Sequence, residues 1–177
     1  EGPFYPIHKQ VDMDTDLTLI EGHTERAQGE VITVTGQVLD DKGLPVEGAL
    51  VDIWQANTNG RYHHEDDTAT APTDPNFQGW GMVKTDAQGR YAFTTIKPGA
   101  YMVNDEWRRP PHIHYKVSRR GYREITTQMY FAGEPLNEKD SLLNDVAENE
   151  LDLLVVDFNE RDGVLHGNFS VVLAKVS

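Results

Sequence analysis

Val31-Ile32-Thr33-Val34-Thr35-Gly36-Gln37-Val38, followed by Asp40-Asp41-Lys42-Gly43 and Leu44-Pro45-Val46, is the stretch that decides the fold. β-Branched residues alternate there with small or polar ones, the period of a half-buried strand, and the Asp/Gly cluster supplies a turn, so a hairpin is predicted. Working outward, Ala49–Gln55 reads as a short strand. Gly81–Thr85 and Tyr91–Thr95, joined by Asp86-Ala87-Gln88-Gly89, read as a second hairpin. Further strands are expected at His112–Ser118, Ile125–Phe131 and Val164–Leu173. One helix is expected over Asp140–Asp152, where Leu142, Leu143, Val146 and Leu151 are spaced helically. Short strands separated by turns predict an all-β domain, an antiparallel β-sandwich with long active-site loops and one short helix in the C-terminal half. The stretch from Ala56 to Trp80 is too long for a simple connector and marks a functional loop. Residues 1–30 read as an N-terminal arm, and 31–177 as the sandwich domain.

Composition narrows the chemistry. At 177 residues the chain is long enough for one sizeable core. Its formal net charge of −13 argues against a polyanionic partner such as nucleic acid. It contains no cysteine, so any metal must be held by His, Tyr, Asp or Glu. No apolar run has the roughly 18 residues a membrane span needs, so no membrane partner is expected. The chain opens at Glu1 rather than Met, which leaves both a cytoplasmic and an exported location open.

Within Arg109-Pro110-Pro111-His112-Ile113-His114, strand alternation puts both imidazoles on one face and Ile113 on the other. The two prolines place the pair at the mouth of a strand. An HxH pair by itself is as consistent with a wet strand face, or with a cupin-like zinc or ferrous site, as with any other metal centre. Two tyrosines supply the corroboration. Tyr62 lies in Gly60-Arg61-Tyr62-His63-His64 of the long loop, and Tyr101 follows the turn Lys97-Pro98-Gly99-Ala100, eleven positions before His112.

Taken as a set, these residues resemble the intradiol ring-cleavage dioxygenases, the superfamily of catechol 1,2-dioxygenases and protocatechuate 3,4-dioxygenases. The similarity runs from Glu1-Gly2-Pro3-Phe4-Tyr5-Pro6 through Trp54-Gln55-Ala56-Asn57, Gly60-Arg61-Tyr62, Asp74-Pro75-Asn76-Phe77, Thr95-Ile96-Lys97-Pro98-Gly99 and the HxH block to Thr127-Gln128-Met129-Tyr130-Phe131. The resemblance implies an Fe(III) cofactor held by Tyr62 and His112 as equatorial ligands and by Tyr101 and His114 as axial ones. It implies cleavage of a catechol by O2 between the two hydroxyl-bearing carbons, giving a cis,cis-muconate. Tyr101 would leave the metal and take up a substrate proton, Arg109 would stabilise charge developing on the ring, and Gln128 would lie near the substrate. Phenolates are hard anionic donors suited to a ferric ion, which in turn lowers the tyrosine pKa from about 10.

The chain departs from the family in three places. The helical dimerisation region of catechol 1,2-dioxygenases has no counterpart before Val31, one chain holds the whole ligand set, and Met102–Arg108 is about two residues shorter than in the protocatechuate enzymes. A homo-oligomer, taken as a dimer, is expected. His63, His64 and His166 read as solvated or pocket-edge residues, and His8 and His23 as surface ones. Two other readings stay open on the residues alone, a cupin-like His-based metalloenzyme and a transthyretin-like non-catalytic β-module suggested by Gly36–Ala49.

Overall fold

In chain order the strands are β1 (Val31–Asp40), β2 (Leu50–Trp54), β3 (Trp80–Lys84), β4 (Arg90–Ile96), β5 (Tyr101–Met102), β6 (Arg108–Arg109), β7 (His112–Ser118), β8 (Ile125–Phe131), β9 (Val155–Val156), β10 (Asn159–Arg161), β11 (Val164–Asn168) and β12 (Val171–Leu173). They come from a computed structural model, which describes residues 2–8 and 12–176. Along β1 the alternation seen in the sequence becomes alternation in burial, with Ile32, Val34 and Val38 inside and Thr35 in solvent. The all-β expectation holds.

Two sheets face each other. In the first, β1 pairs antiparallel with β4 from Val31↔Ile96 to Gln37↔Arg90. Along β1 it also pairs parallel with β11 and then β12, and β10 flanks β11. The second sheet has the order β3-β2-β7-β8-β9, antiparallel apart from the β8–β9 pair. Both sheets are therefore mixed rather than purely antiparallel. Their inward side chains form one core that includes Ile32, Val34 and Phe93 from the first sheet and Ile53, Ile113, Tyr115 and Met129 from the second. Tyr115 meets Phe169 across the interface, with ring centroids 4.7 Å apart.

Three expectations need correcting. The turn at Asp86–Gly89 forms, with Gly89 N–H donating to the Asp86 carbonyl. Its arms do not make a hairpin, because β3 pairs with β2 and β4 with β1. Each arm buries its apolar stripe from a different side of the same core, so the turn is a corner between sheets. Second, Val164–Leu173 is not one strand. It is interrupted at Phe169-Ser170, where β1 carries Gly36, and a Cβ at that position would collide with the Phe169 carbonyl oxygen and the Tyr91 hydroxyl. Third, the single helix over Asp140–Asp152 resolves into α1 (Ser141–Asn144) and α2 (Glu148–Leu154), preceded by a 3₁₀ turn at Pro135–Lys139. None of these helices is long and apolar enough to cross a membrane among the described residues.

Residues before β1 dock on the sheets through backbone bonds. Leu17 N–H donates to the Thr94 carbonyl and Met82 N–H to the Met13 carbonyl, while the Leu17 side chain is fully buried. The loop from Ala56 to Gly79 contains no strand or helix, as its composition indicates.

Ile113 is fully buried between the two histidines of β7 and belongs to the shared core. Ile113→Ala is expected to lower unfolding stability by about 2–5 kcal/mol, and Ile113→Val by about 0.5–1.5 kcal/mol. Urea unfolding followed by circular dichroism measures both, and an Ala variant as stable as wild type would show that this strand is not anchored by its core face.

Candidate metal centre

β7 begins immediately after Pro110-Pro111 and runs in the interior of its sheet, between β2 and β8. The prolines thus precede the ladder and do not interrupt it. With Ile113 turned into the core, His112 and His114 face the other way, and both are buried. Register then decides their neighbours. His112 lies opposite Tyr130 and His114 opposite Gln128, so those two side chains share the histidines' face. From the other side Trp54, paired with His114, stacks its ring on that imidazole at 4.8 Å and 7°. The His112 Nδ1–H donates to the Pro110 carbonyl at 2.7 Å, which leaves the Nε2 lone pair directed into the site.

Tyr62 arrives from the long loop, and Asn57 shapes its approach. The Asn57 side-chain oxygen accepts from Asn59 N–H at 2.9 Å and Arg61 N–H at 3.0 Å, while its carbonyl accepts from Gly60 and Gly99. The last of these bonds ties the Tyr62 loop to the turn that delivers Tyr101. Gly60, at φ +78°, occupies the left-handed region that favours glycine, and a Cβ on Gly99 would come within 2.5 Å of the Gly60 nitrogen. Two facing glycines therefore let the loops approach closely enough for both phenols to reach one place. Asp67 Oδ2 accepts from Tyr62 N–H at 2.7 Å and completes the loop.

The expected set converges. The Tyr62 hydroxyl is 3.1 Å from His114 Nε2 and 3.4 Å from His112 Nε2. The rings of Tyr62 and Tyr101 meet edge to face at 5.5 Å. Tyr101, the first residue of β5, lies opposite Arg109 of β6, so this two-stranded ribbon sets phenol and guanidinium side by side. Arg109 is buried, with Nη1 3.3 Å from His112 Nε2 and Nη2 2.7 Å from both Gln128 Oε1 and the Tyr130 hydroxyl. Its Nε and Nη2 also donate to Asp140 at 3.2 and 2.9 Å.

Several neighbours carry no site role in the sequence reading. Phe4 stacks on Tyr62 with centroids 4.6 Å apart; the opening Gly-Pro-Phe-Tyr block is the signal that could have found it. Trp54, Tyr130 and Asp140 are further examples, and Asp140 lies in no motif at all. His63 and His64 border a separate cavity of about 670 Å³, together with Ile7, His8, His23 and Phe77. None of the four converging donors lines that cavity.

Electrostatics show what this cluster can hold. Burial, reinforced by Arg109, pushes His112 down to about 3. His114 is pushed well below the ordinary histidine range by burial, His112 and Arg109. Both imidazoles are therefore neutral donors at physiological pH. Burial raises the Tyr62 phenol well above its usual range, and the neighbouring Tyr101 adds to the shift. Tyr101 is raised less, because it is only half-buried and Arg109 favours its anion. A multivalent cation would replace the phenolic protons and supply the charge that buried phenolates need. Two oxygen and two nitrogen donors, with His112 Nε2 oriented by the Pro110 bond, fit a ferric ion. Among the described residues no group of three or more His, Asp or Glu is arranged so that it could hold a metal ion, so the His-and-carboxylate alternative gains no support from the geometry.

A family model described as Dioxygenase matches residues 1–173. The chain is 42% identical over 180 residues to the protocatechuate 3,4-dioxygenase beta chain of Burkholderia cepacia, an alignment covering 97% of this chain and 76% of that protein. The chain belongs to the intradiol ring-cleavage dioxygenases. Against catechol 1,2-dioxygenase 2 of Acinetobacter lwoffii this dioxygenase shows 31% identity over 155 residues, covering 76% of the chain but only 50% of that relative. Among solved structures, the dioxygenase domain of a dioxygenase carbohydrate-binding protein fusion from Streptomyces sp. SirexAA-E matches at a TM-score of 0.72 and 31% identity, with 99% of this chain and 96% of that one covered. The 3-chlorocatechol 1,2-dioxygenase from Rhodococcus opacus 1CP matches at a TM-score of 0.77 and 24% identity over 99% of this chain and 71% of that one, a likeness of fold.

The buried histidines make the metal-free dioxygenase sensitive to acid. Between the ordinary histidine value of about 6.5 and the folded value of about 3 for His112, the unfolded chain binds a proton that the folded chain refuses. Stability contributed at this residue is thus fully present above the unfolded value and lost as pH falls through that window. Urea unfolding of the metal-free protein at several pH values is expected to show a shallower acid loss for His112→Gln than for wild type. Identical slopes would mean that His112 is not held neutral.

Proposed function

We propose that this dioxygenase uses Fe(III) to cleave a catechol-type ring with O2 between its two hydroxyl-bearing carbons, giving a cis,cis-muconate. The observation that supports this reading is the convergence of two phenols, Tyr62 and Tyr101, with the imidazoles of His112 and His114 beside a buried guanidinium, Arg109. Relatives named for protocatechuate, catechol and hydroxyquinol support a catechol-type substrate. In the overall change one carbon–carbon bond of the ring is lost and both atoms of O2 enter the product as carboxylate oxygen.

Tyr62, Tyr101, His112 and His114 would hold the iron. When bound, ferric iron supplies a Lewis acid that acidifies the ring hydroxyls and withdraws electron density from the ring. The protein's own groups divide the remaining work. Tyr62, fully enclosed, is the phenol suited to stay in place. Tyr101 is less buried and has the less perturbed phenol, so its oxygen is the one suited to exchange a proton with a substrate hydroxyl. Arg109 keeps its charge: burial opposes it, but the Asp140 hydrogen bond and neighbouring phenols outweigh that, and its pKa is raised. A fixed cation beside the ring favours the state in which negative charge accumulates as aromaticity is lost.

The iron-loaded protein is expected to be red-brown from tyrosinate-to-iron charge transfer, and labelled O2 is expected to place both oxygen atoms in the ring-opened diacid. A colourless, iron-replete protein, or a semialdehyde product from cleavage beside the diol, would overturn the reading. Tyr101→Phe is expected to keep iron and a Tyr62 band while taking up catechol slowly.

Arg109→Ala is expected to retain iron and colour while kcat falls by about a hundredfold, the loss seen when one preorganised charge-stabilising donor is removed. Arg109→Lys restores only part, since an ammonium lacks the planar fork. Near wild-type turnover in the iron-replete Ala variant would remove Arg109 from the mechanism.

A further inference from the structure

Asp140 stands immediately before α1, the position at which an aspartate ordinarily caps the helix. Its side chain makes no capping bond. The carboxylate turns away into the protein, where it is 0% exposed. There it accepts from Arg109 Nε at 3.2 Å and Nη2 at 2.9 Å, and from Trp107 Nε1 at 3.2 Å. These three donors come from one short segment, since Trp107 lies two residues before Arg109, at the end of the turn that joins β5 to β6.

We propose that Asp140 is a positioning residue for ring cleavage, fixing the orientation of the Arg109 guanidinium so that its Nη1 edge faces the four-donor cluster. This rests on the charge-stabilising reading of Arg109. A guanidinium presents its N–H groups in a rigid planar fork, so anchoring one edge sets the direction of the rest. Asp140 takes the Nε–Nη2 edge, and Gln128 and Tyr130 take Nη2 from the sheet side. What remains is Nη1, which lies 3.3 Å from His112 Nε2. The ion pair is consequently a dipole with its positive end toward the cluster and its negative end behind. A purely structural role explains this less well. A buried pair is weak evidence for stability, since a well-packed apolar pair of similar size often does as well, and the helix start forgoes its cap to make it.

The test uses Asp140→Asn, which keeps size and polarity but places an amide against the guanidinium. In the metal-free protein, the Arg109 Nε–H resonance is expected to be resolved and slow to exchange in wild type, and to broaden or exchange rapidly in Asp140→Asn. In the iron-loaded protein the variant is expected to keep iron and the tyrosinate band while kcat falls by about tenfold or more and KM changes by less than about threefold. The double variant with Arg109→Ala is expected to be no slower than Arg109→Ala alone, because residues acting through one group are not additive. Removing one partner of a buried pair can prevent folding, so Asp140→Glu is made in parallel. It keeps the charge, displaces the carboxylate by one methylene, and should show a smaller loss of kcat in the same pattern. Unchanged kcat in either folded, iron-replete variant, or losses that add to that of Arg109→Ala, would overturn the proposal. If wild type cleaves no catechol ring, the parent reading fails instead, and the Nε–H measurement still decides whether Asp140 orients Arg109.

Discussion

The alternation of β7 is the constraint on which the rest depends. Ile113 is committed to the core shared by the two sheets, and the same strand geometry turns His112 and His114 to the opposite face. A slip of one residue in its pairing would put both imidazoles into the apolar interior and the isoleucine into the site. The strand is fixed on both sides, against β2 from Leu50↔Ser118 to Trp54↔His114 and against β8 from His112↔Tyr130 to Val117↔Ile125. The site inherits its rigidity from this double pairing. Gln128, Tyr130 and Trp54 are where they are because the register puts them opposite the histidines.

Around this rigid wall the other groups are delivered by irregular chain, which is more demanding. Loops carry backbone groups that need partners, and here they satisfy one another. Asn57 bonds its own turn through its side chain, and through its carbonyl it binds the turn that precedes Tyr101. Gly60 and Gly99 supply the close approach. The short β5–β6 ribbon then couples Tyr101 to Arg109. The two proposed phenolic donors are thus connected to each other and to the cation by backbone bonds, without relying on their own side chains to find one another.

The interior polarity follows one rule. Apart from Arg109 and Asp140, which neutralise each other, the groups packed at the centre are neutral as they stand: two imidazoles whose burial keeps protons off and two phenols whose burial keeps protons on. Such a set is tolerable without a metal, and the ferric ion proposed for it would exchange the phenolic protons for coordination.

Much of this was legible in the sequence. Period-two patterning gave the strands, and the spacing of His112, Ile113 and His114 fixed which side chains share a face, because strand alternation is local and needs no partner. The ordered blocks around Tyr62, Tyr101, Arg109 and Gln128 placed the site residues that the structure brings together. Other features depended on contacts between distant segments. Whether β3 and β4 form a hairpin or a corner between sheets depends on what each buries against, not on the turn that joins them, and the break at Phe169-Ser170 depends on Gly36 in another strand. Asp140 is the clearest case. By sequence it is a helix start in an acidic chain. Only the packing of that segment beneath the β5–β6 ribbon, which removes water from around Arg109, makes its carboxylate the guanidinium's partner.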